Sequence, residues 1–250
     1  MMPLANAFCS RHGKLSIGRD CAGVYHCKRR KTTYLEAEFN EAAPEFPEGQ
    51  KSIRYLMQLQ KLGAPLSTDR LVLREFTRGD FPGYSAYHSL QEVYRYLYAA
   101  PPTGDALREQ FSTILAAPFE KDGDTYRLAV ERKADNALVG EVLLKLASVD
   151  GLQGEVGYIF NPEFAGNGYA TEAVGAMVSI GFSSIGFHRI FARLDAANEG
   201  SVGVVERLGL RREAHLIQND RFRDVWGDEY IYAVLASEWK SRAGVILPSA

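Results

Sequence analysis

Beyond Cys27 the 250-residue chain contains no cysteine, and its three cysteines, Cys9, Cys21 and Cys27, crowd near the start. So sparse a set excludes a disulfide scaffold and suits a reducing compartment, so a cytoplasmic location is expected. Long apolar runs are missing too. No stretch approaches the ~20 residues a membrane-spanning helix needs, and no continuous apolar segment follows the early basic residues. Neither a secretory leader nor a membrane partner is expected. An excess of one charge is also absent: 29 Lys and Arg face 31 Asp and Glu, a net charge of −2. That balance argues against a protein that coats nucleic acid. The chain does have 46% hydrophobic and 24% charged residues, which is ordinary for a globular protein and too apolar for a mostly disordered one.

Periodicity is what residues 1–62 lack. Pro44 and Pro47 break an acidic piece, Glu36–Glu48, and the basic run Lys28–Lys31 stands ahead of it. We read this part as a poorly ordered extension with a short helix near Ile53–Leu62. Cys9, His12, Cys21, His26 and Cys27 offer zinc-binding chemistry, yet no paired C-x-x-C spacing organises them, so no metal is expected. The basic run also fits a phosphate patch or nuclear signal. The scarcity of acids before residue 32 fits an organellar presequence, and Met57 is an alternative start of translation. A domain over residues 63–240 and a tail over 241–250 complete the division.

From Leu66 the pattern becomes regular. Arg70–Phe76 alternates as a strand, Asp80–Leu90 reads as a helix, and Thr103–Ala116 reads as a second helix with an apolar face of Leu107, Phe111, Ile114 and Leu115. Thr125–Glu131 and Ala137–Val149 form a hairpin across the polar turn Lys133–Asn136, and Gln153–Phe160 extends the meander. Then come a helix over Tyr169–Ser184, a strand over Arg189–Leu194 and a helix over Asn198–Leu208 stopped by Gly209. Strands Glu213–Asn219 and Glu229–Leu235 close the order, and the tail from Ser237 is expected to fray. These elements make an α+β fold around one mixed sheet.

The most informative stretch is Glu155–Ala173. A strand ends at Asn161–Pro162, a loop holds Gly166 and Gly168, and a helix begins at once. Glycine opens backbone conformations closed to other residues and leaves no side chain in a ligand's way. The first helical turn leaves N–H groups unpartnered at the positive end of the dipole. Together these suit a phosphate or pyrophosphate. The loop lacks the Lys-Ser/Thr of a P-loop, and it follows antiparallel strands rather than opening a β-α-β unit. A tight strand-to-helix connection without a ligand is the plainer alternative.

With Asn198-x-x-Ser201, Leu208–Gly209–Leu210, Gly227–Asp228–Glu229, Tyr232, Leu235 and Glu238–Trp239, this stretch resembles the GNAT superfamily of N-acetyltransferases. Leu66–Arg74 is similar to the first strand of its RimJ/RimL-like, ribosomal-protein N-terminal acetyltransferase branch. The resemblance spans roughly residues 65–240. It implies a mostly antiparallel mixed sheet of about seven strands, splayed around a coenzyme A cleft with flanking helices. It also implies acetyl-CoA as co-substrate and transfer to a primary amine by direct attack in a ternary complex. The acceptor would be a small molecule or a peptide N-terminus, and the enzyme a monomer or homodimer. The pyrophosphate motif falls on Ala165, Gly166, Asn167, Gly168, Tyr169 and Ala170, with Ala165 replacing the usual Gln or Arg.

The resemblance further implies that Tyr158, Ile159 and Phe160 lie along the pantetheine arm and thioester. It implies that Asn198 binds a pantetheine amide and that Ser201 donates to the leaving thiolate, since Val205 stands where many members carry tyrosine. Glu155 is the candidate base, because a part-buried carboxylate can accept a proton. Its alternative role is to anchor a basic residue. Tyr84–Tyr98 would wall the acceptor groove, with Trp226 and Asp228 closing it or pinning the last hairpin. The missing Gln/Arg and helix tyrosine leave a second reading, a non-catalytic acyl-CoA-binding or regulatory module.

Overall fold

Alternating apolar residues build most of the architecture. The computed structural model describes residues 65–222 and 224–242, together with two short strands, β1 (Gly18–Arg19) and β2 (Tyr25–His26). The chain divides into two units, Met1–Glu45 and Phe46–Ala250. In the first, β1 and β2 pair antiparallel. The expected helix at Ile53–Leu62, the division at residue 62 and the side chains of the zinc candidates lie outside the described residues.

The second unit is built on an eight-stranded sheet, one strand more than expected. Its strands are β3 (Leu66–Ser67), β4 (Leu71–Arg74), β5 (Thr125–Arg132), β6 (Ala137–Ser148), β7 (Gln153–Phe160), β8 (Arg189–Asp195), β9 (Arg211–Phe222) and β10 (Val225–Leu235). The order is β3-β4-β5-β6-β7-β8-β10-β9. Every pairing is antiparallel except β7 with β8. The extra strand is β3, which is too short to show a period.

Side chains of one strand alternate between faces, and the two faces have separate cores. Leu128 and Val130 of β5 join Val142, Leu144 and Val156 under α4 (Tyr169–Ile180), which supplies Val174, Met177 and Val178. Between them, Ala129 packs on the opposite face with Phe76, Tyr84, Tyr87, Leu107 and Phe111. That second layer is made by α1 (Phe81–His88) and α3 (Gly104–Leu115). Joining them are the one-turn α2 (Gln91–Tyr94) and an irregular segment through Tyr98.

α4 stops at Ile180 and continues as a π-helical turn, Gly181–Ile185. α5 (Glu199–Arg207) ends as expected: Gly209 adopts φ +74°, and the Leu210 N–H bonds back to the Val205 carbonyl at 2.9 Å. The expectation of a frayed tail from Ser237 is corrected as far as Arg242, and residues 243–250 lie outside the described residues. Ala236–Arg242 is a helix, α6, held by the Trp239 indole N–H donating to Ser179 Oγ at 3.1 Å and by its ring against Phe182. No helix among the described residues is long and apolar enough to cross a membrane.

Candidate active site

The sheet opens at one place. β7 and β8 pair only at Gln153–Arg189, Gly154–Ile190 and Glu155–Phe191. Beyond Glu155, β7 stays bonded to β6 as far as Phe160, while β8 pairs with β10 on its other side. The strands therefore part, and the β8-facing edge of Val156–Phe160 has no sheet partner among the described residues. Tyr158, Ile159 and Phe160 line the resulting cavity of about 750 Å³.

The loop after β7 is shaped by its own side chains. Asn161 Oδ1 accepts the Glu163 N–H at 3.1 Å and caps a short 3₁₀ turn, Pro162–Phe164. Asn167 Nδ2 donates to the Phe164 and Ala165 carbonyls. Gly166 and Gly168 then adopt φ of +79° and +77°, where a side chain would be strained, and no atom lies within 4 Å of a Cβ built on Gly166. The Glu172 N–H returns to the Gly168 carbonyl, but the amides of Gly166 through Thr171 donate to no acceptor among the described residues. Ala165 through Thr171 all line the same cavity.

This helix N-terminus carries an acid that could oppose an anion, and the structure neutralises it. Glu172 accepts from Thr68 Oγ1, the Arg70 N–H and Arg70 Nε, and Arg70 Nη2 completes the pair at 2.7 Å. Burial works to raise its pKa, but Thr68 and Arg70 outweigh burial and hold it below the ordinary range. Arg70 also donates to the Asn167 carbonyl and lies over the Tyr169 ring. A clamp across the start of β4 thus fixes the loop.

α5 forms the far wall. Asn198 Oδ1 accepts the Ser201 N–H at 3.1 Å, so it caps the helix. The Tyr158 hydroxyl donates to the Ser201 carbonyl at 3.0 Å, tying strand to helix across the opening. Burial pushes that phenol up to about 12, so it remains a donor at neutral pH. Asn198, Ser201 and Arg207 line the cavity, and Val205 is buried in the core. Sequence reasoning missed Arg207 and Thr171, which touch through Arg207 Nε and Thr171 Oγ1 at 3.2 Å. Their only signal was helical phase: Arg207 lies about two turns past Gly200, which lines the same cavity.

Glu155 stands apart. It lies on the opposite face of β7 from Tyr158, at the last position paired with β8, and its carboxylate is 3.5 Å from Lys145 Nζ. It does not line the cavity. A second cavity of about 1000 Å³ is lined by Tyr94, Tyr98, Asp195, Phe222, Trp226 and Asp228, among others. Glu92 lines both cavities, so they adjoin. Of the tyrosines expected to wall a groove, Tyr94, Tyr96 and Tyr98 line the two cavities, whereas Tyr84 and Tyr87 are wholly buried. Asp228 receives the Gln218 N–H and His215, and so also pins the hairpin.

Comparison with known proteins gives this geometry a lineage. Residues 70–211 match the family model described as an acetyltransferase (GNAT) domain. The N-acetyltransferase YnaD of Bacillus subtilis strain 168, itself uncharacterized, is 29% identical over 174 residues, covering 70% of this chain and 98% of its own. A GNAT-family acetyltransferase from Bacillus anthracis superposes with a TM-score of 0.64 at 28% identity, over 70% of this chain and all of the other. The fold is shared with spermidine N-acetyltransferase from Vibrio cholerae, solved with CoA and spermine, at a TM-score of 0.60 and 22% identity, covering 69% and 99%. The chain thus belongs to the GNAT acetyltransferases as an acetyl-CoA-dependent enzyme.

Proposed function

We propose that the chain transfers the acetyl group of acetyl-CoA to a primary amine that enters through the groove beside Tyr94, Tyr98 and Trp226. The observation that carries this reading is the row of amides from Gly166 to Thr171, unpartnered among the described residues and opening on the same cavity as the end of β7. The pyrophosphate would take those amides, with Arg207 adding a positive charge where Ala165 supplies none. The pantetheine arm would lie along the free edge of Val156–Phe160, with Asn198 near its amides. The thioester would then sit by Tyr158–Phe160, between the two cavities.

The chemistry divides among few groups. The neutral amine attacks the thioester carbon, the C–N bond forms and the C–S bond breaks, and the proton that the acylated nitrogen sheds reaches the departing thiolate through the Ser201 hydroxyl, which gives one proton as it takes another. Backbone N–H groups of the open strand edge would stabilise the negative oxygen. Glu155 keeps Lys145 in place and is not assigned the base. Glu92, Asp195 and Asp228, set against Arg95, leave the groove lining acidic on balance, which favours an amine arriving as a cation. A polyamine and the N-terminus of a ribosomal protein both meet that description.

The test is release of free CoA thiol from acetyl-CoA with three acceptor classes: simple primary alkylamines, spermidine, and hexapeptides with a free N-terminus. At least one class should give saturable turnover. Tight acetyl-CoA binding with no turnover in any class would contradict the proposal.

A further inference from the structure

Behind the acceptor groove lies a buried polar cluster that the chemistry above leaves unused. Glu141 of β6 is completely buried, as is its neighbour His88 at the end of α1. One carboxylate oxygen of Glu141 is held by the Arg127 guanidinium. The other accepts the Tyr87 hydroxyl at 3.2 Å and lies 3.5 Å from His88 Nε2. His88 Nε2 has no closer polar partner among the described residues. On the other side of the ring, His88 Nδ1 is 2.8 Å from the Tyr94 hydroxyl. Tyr94 lines the groove.

The hydrogen-bond network fixes who donates. A carboxylate only accepts, so the His88 nitrogen facing it carries the proton, and Nδ1 is left as an acceptor for the Tyr94 hydroxyl. Gln110 Nε2 donates to the Tyr84 hydroxyl at 2.6 Å and reaches Tyr94 at 3.4 Å, which leaves the Tyr94 proton free to point at His88. The order is hydroxyl, imidazole, carboxylate, from the groove inward. The ring is held in this order by stacking on Tyr84, with centroids 3.9 Å apart.

We propose that Tyr94, His88 and Glu141 form a proton relay that takes the proton from the acceptor ammonium. This rests on the acetyl-transfer reading above. The ammonium N–H bond breaks as its proton passes to the Tyr94 oxygen, and the Tyr94 proton moves to His88 Nδ1. His88 becomes an imidazolium facing Glu141, and the amine keeps its electron pair for attack. After the product leaves, His88 returns its proton to Tyr94, and Tyr94 releases one to water in the groove. The groups facing His88 are Tyr84 and Tyr87 on its own helix, Tyr94 on α2, neutral Gln110 on α3, and Glu141 on β6 with Arg127 of β5 behind it. Tyr94 is the residue that would touch the acceptor, while His88 and Glu141 act through it.

Tyr94→Phe removes only the hydroxyl and keeps the ring. With spermidine or a hexapeptide acceptor, kcat should fall about 100-fold, while KM for acetyl-CoA and the melting temperature stay near the parent's. The shape of the kcat/KM pH profile should differ between Tyr94→Phe and the parent. A folded Tyr94→Phe with parental kcat and pH profile would overturn the relay alone. Nitrogen-15 NMR of the parent needs no substitution: His88 should be protonated at Nε2 and bare at Nδ1, and the opposite tautomer would overturn the relay. A parent that fails to bind acetyl-CoA by calorimetry would instead overturn the acetyl-transfer reading on which the relay depends.

Discussion

At the scale of single residues, the account turns on groups whose partners are already fixed. Ser201 has its N–H on Asn198 and its carbonyl on Tyr158, so its hydroxyl can be removed without loosening the wall. Ser201→Ala should lower kcat by about 10- to 100-fold, the modest end of acid catalysis because a thiolate leaves readily. Its affinity for acetyl-CoA, read by calorimetry, should match the parent's. A variant with parental kcat would remove Ser201 from the chemistry. The neighbouring Asn198 was legible as a helix cap because its N-x-x-S spacing lets the side chain reach the third amide. Arg207 was not legible, since its exposed helical position looks like any solvated charge until α4 and α5 are brought side by side.

Glu141 gives a second residue-scale prediction, in acid. Burial alone would raise its pKa, but Arg127, His88 and Tyr87 outweigh burial and hold it below the ordinary value of 4.5. As pH falls, the unfolded chain therefore takes up the proton first. The carboxylate's contribution is complete above the ordinary value and is lost as pH drops through the lower folded one. Urea unfolding from pH 7 to pH 3 should show the parent losing stability more steeply than Glu141→Gln. At pH 7 that variant should be less stable by about 3 kcal/mol, the low end for a broken buried pair, because Arg127 can still reach water. Equal acid slopes would show that the carboxylate is not held ionised.

At the scale of elements, periodicity carried most of the reading. Strands β5 to β8 and helices α3 to α5 follow alternation or a 3.6-residue repeat that each segment displays alone. The two glycines were readable because a left-handed backbone beside a helix start needs them. What escaped was non-local. The tyrosines of α1 and α2 look alike in sequence, yet Tyr84 and Tyr87 are wholly buried while Tyr94, only 6% exposed, still reaches a groove, and packing on Ala129 and Phe111 separates them. α6 was missed because its anchor, Ser179, lies 60 residues earlier. Trp239→Ala should therefore cost about 2 kcal/mol, less than a fully buried tryptophan, as measured by denaturant midpoint. A loss within 0.5 kcal/mol, roughly the scatter of surface substitutions, would mean the helix end contributes little to the fold.

At the scale of the whole molecule, the function depends on where a continuous sheet stops being continuous. β7 and β8 share three pairings and then part, and the fork joins a cleft at the glycine loop to a groove at the last hairpin. Order of elements and an α+β class could be read from the sequence, because each strand announces its neighbours through short turns. The depth of the fork could not, since it depends on the register between β7 and β8, two strands joined through a helix. Ala165 illustrates the same limit: it stands where the family pattern has Gln or Arg, and only the folded chain shows Arg70, just ahead of β4, on the Asn167 carbonyl and Arg207 of α5 against Thr171 in the first turn of α4.

The central claim is that free amides at the start of α4 hold the pyrophosphate, and calorimetric titration of acetyl-CoA into parent, Gly168→Asn and Gly168→Glu tests it most directly. Asparagine tolerates the left-handed backbone, so Gly168→Asn should bind within about tenfold of the parent. Gly168→Glu puts a carboxylate where the phosphates would lie and should weaken binding by at least about 100-fold, the loss of some 3 kcal/mol of charge-assisted hydrogen bonding. Parental affinity in a folded Gly168→Glu would contradict the claim.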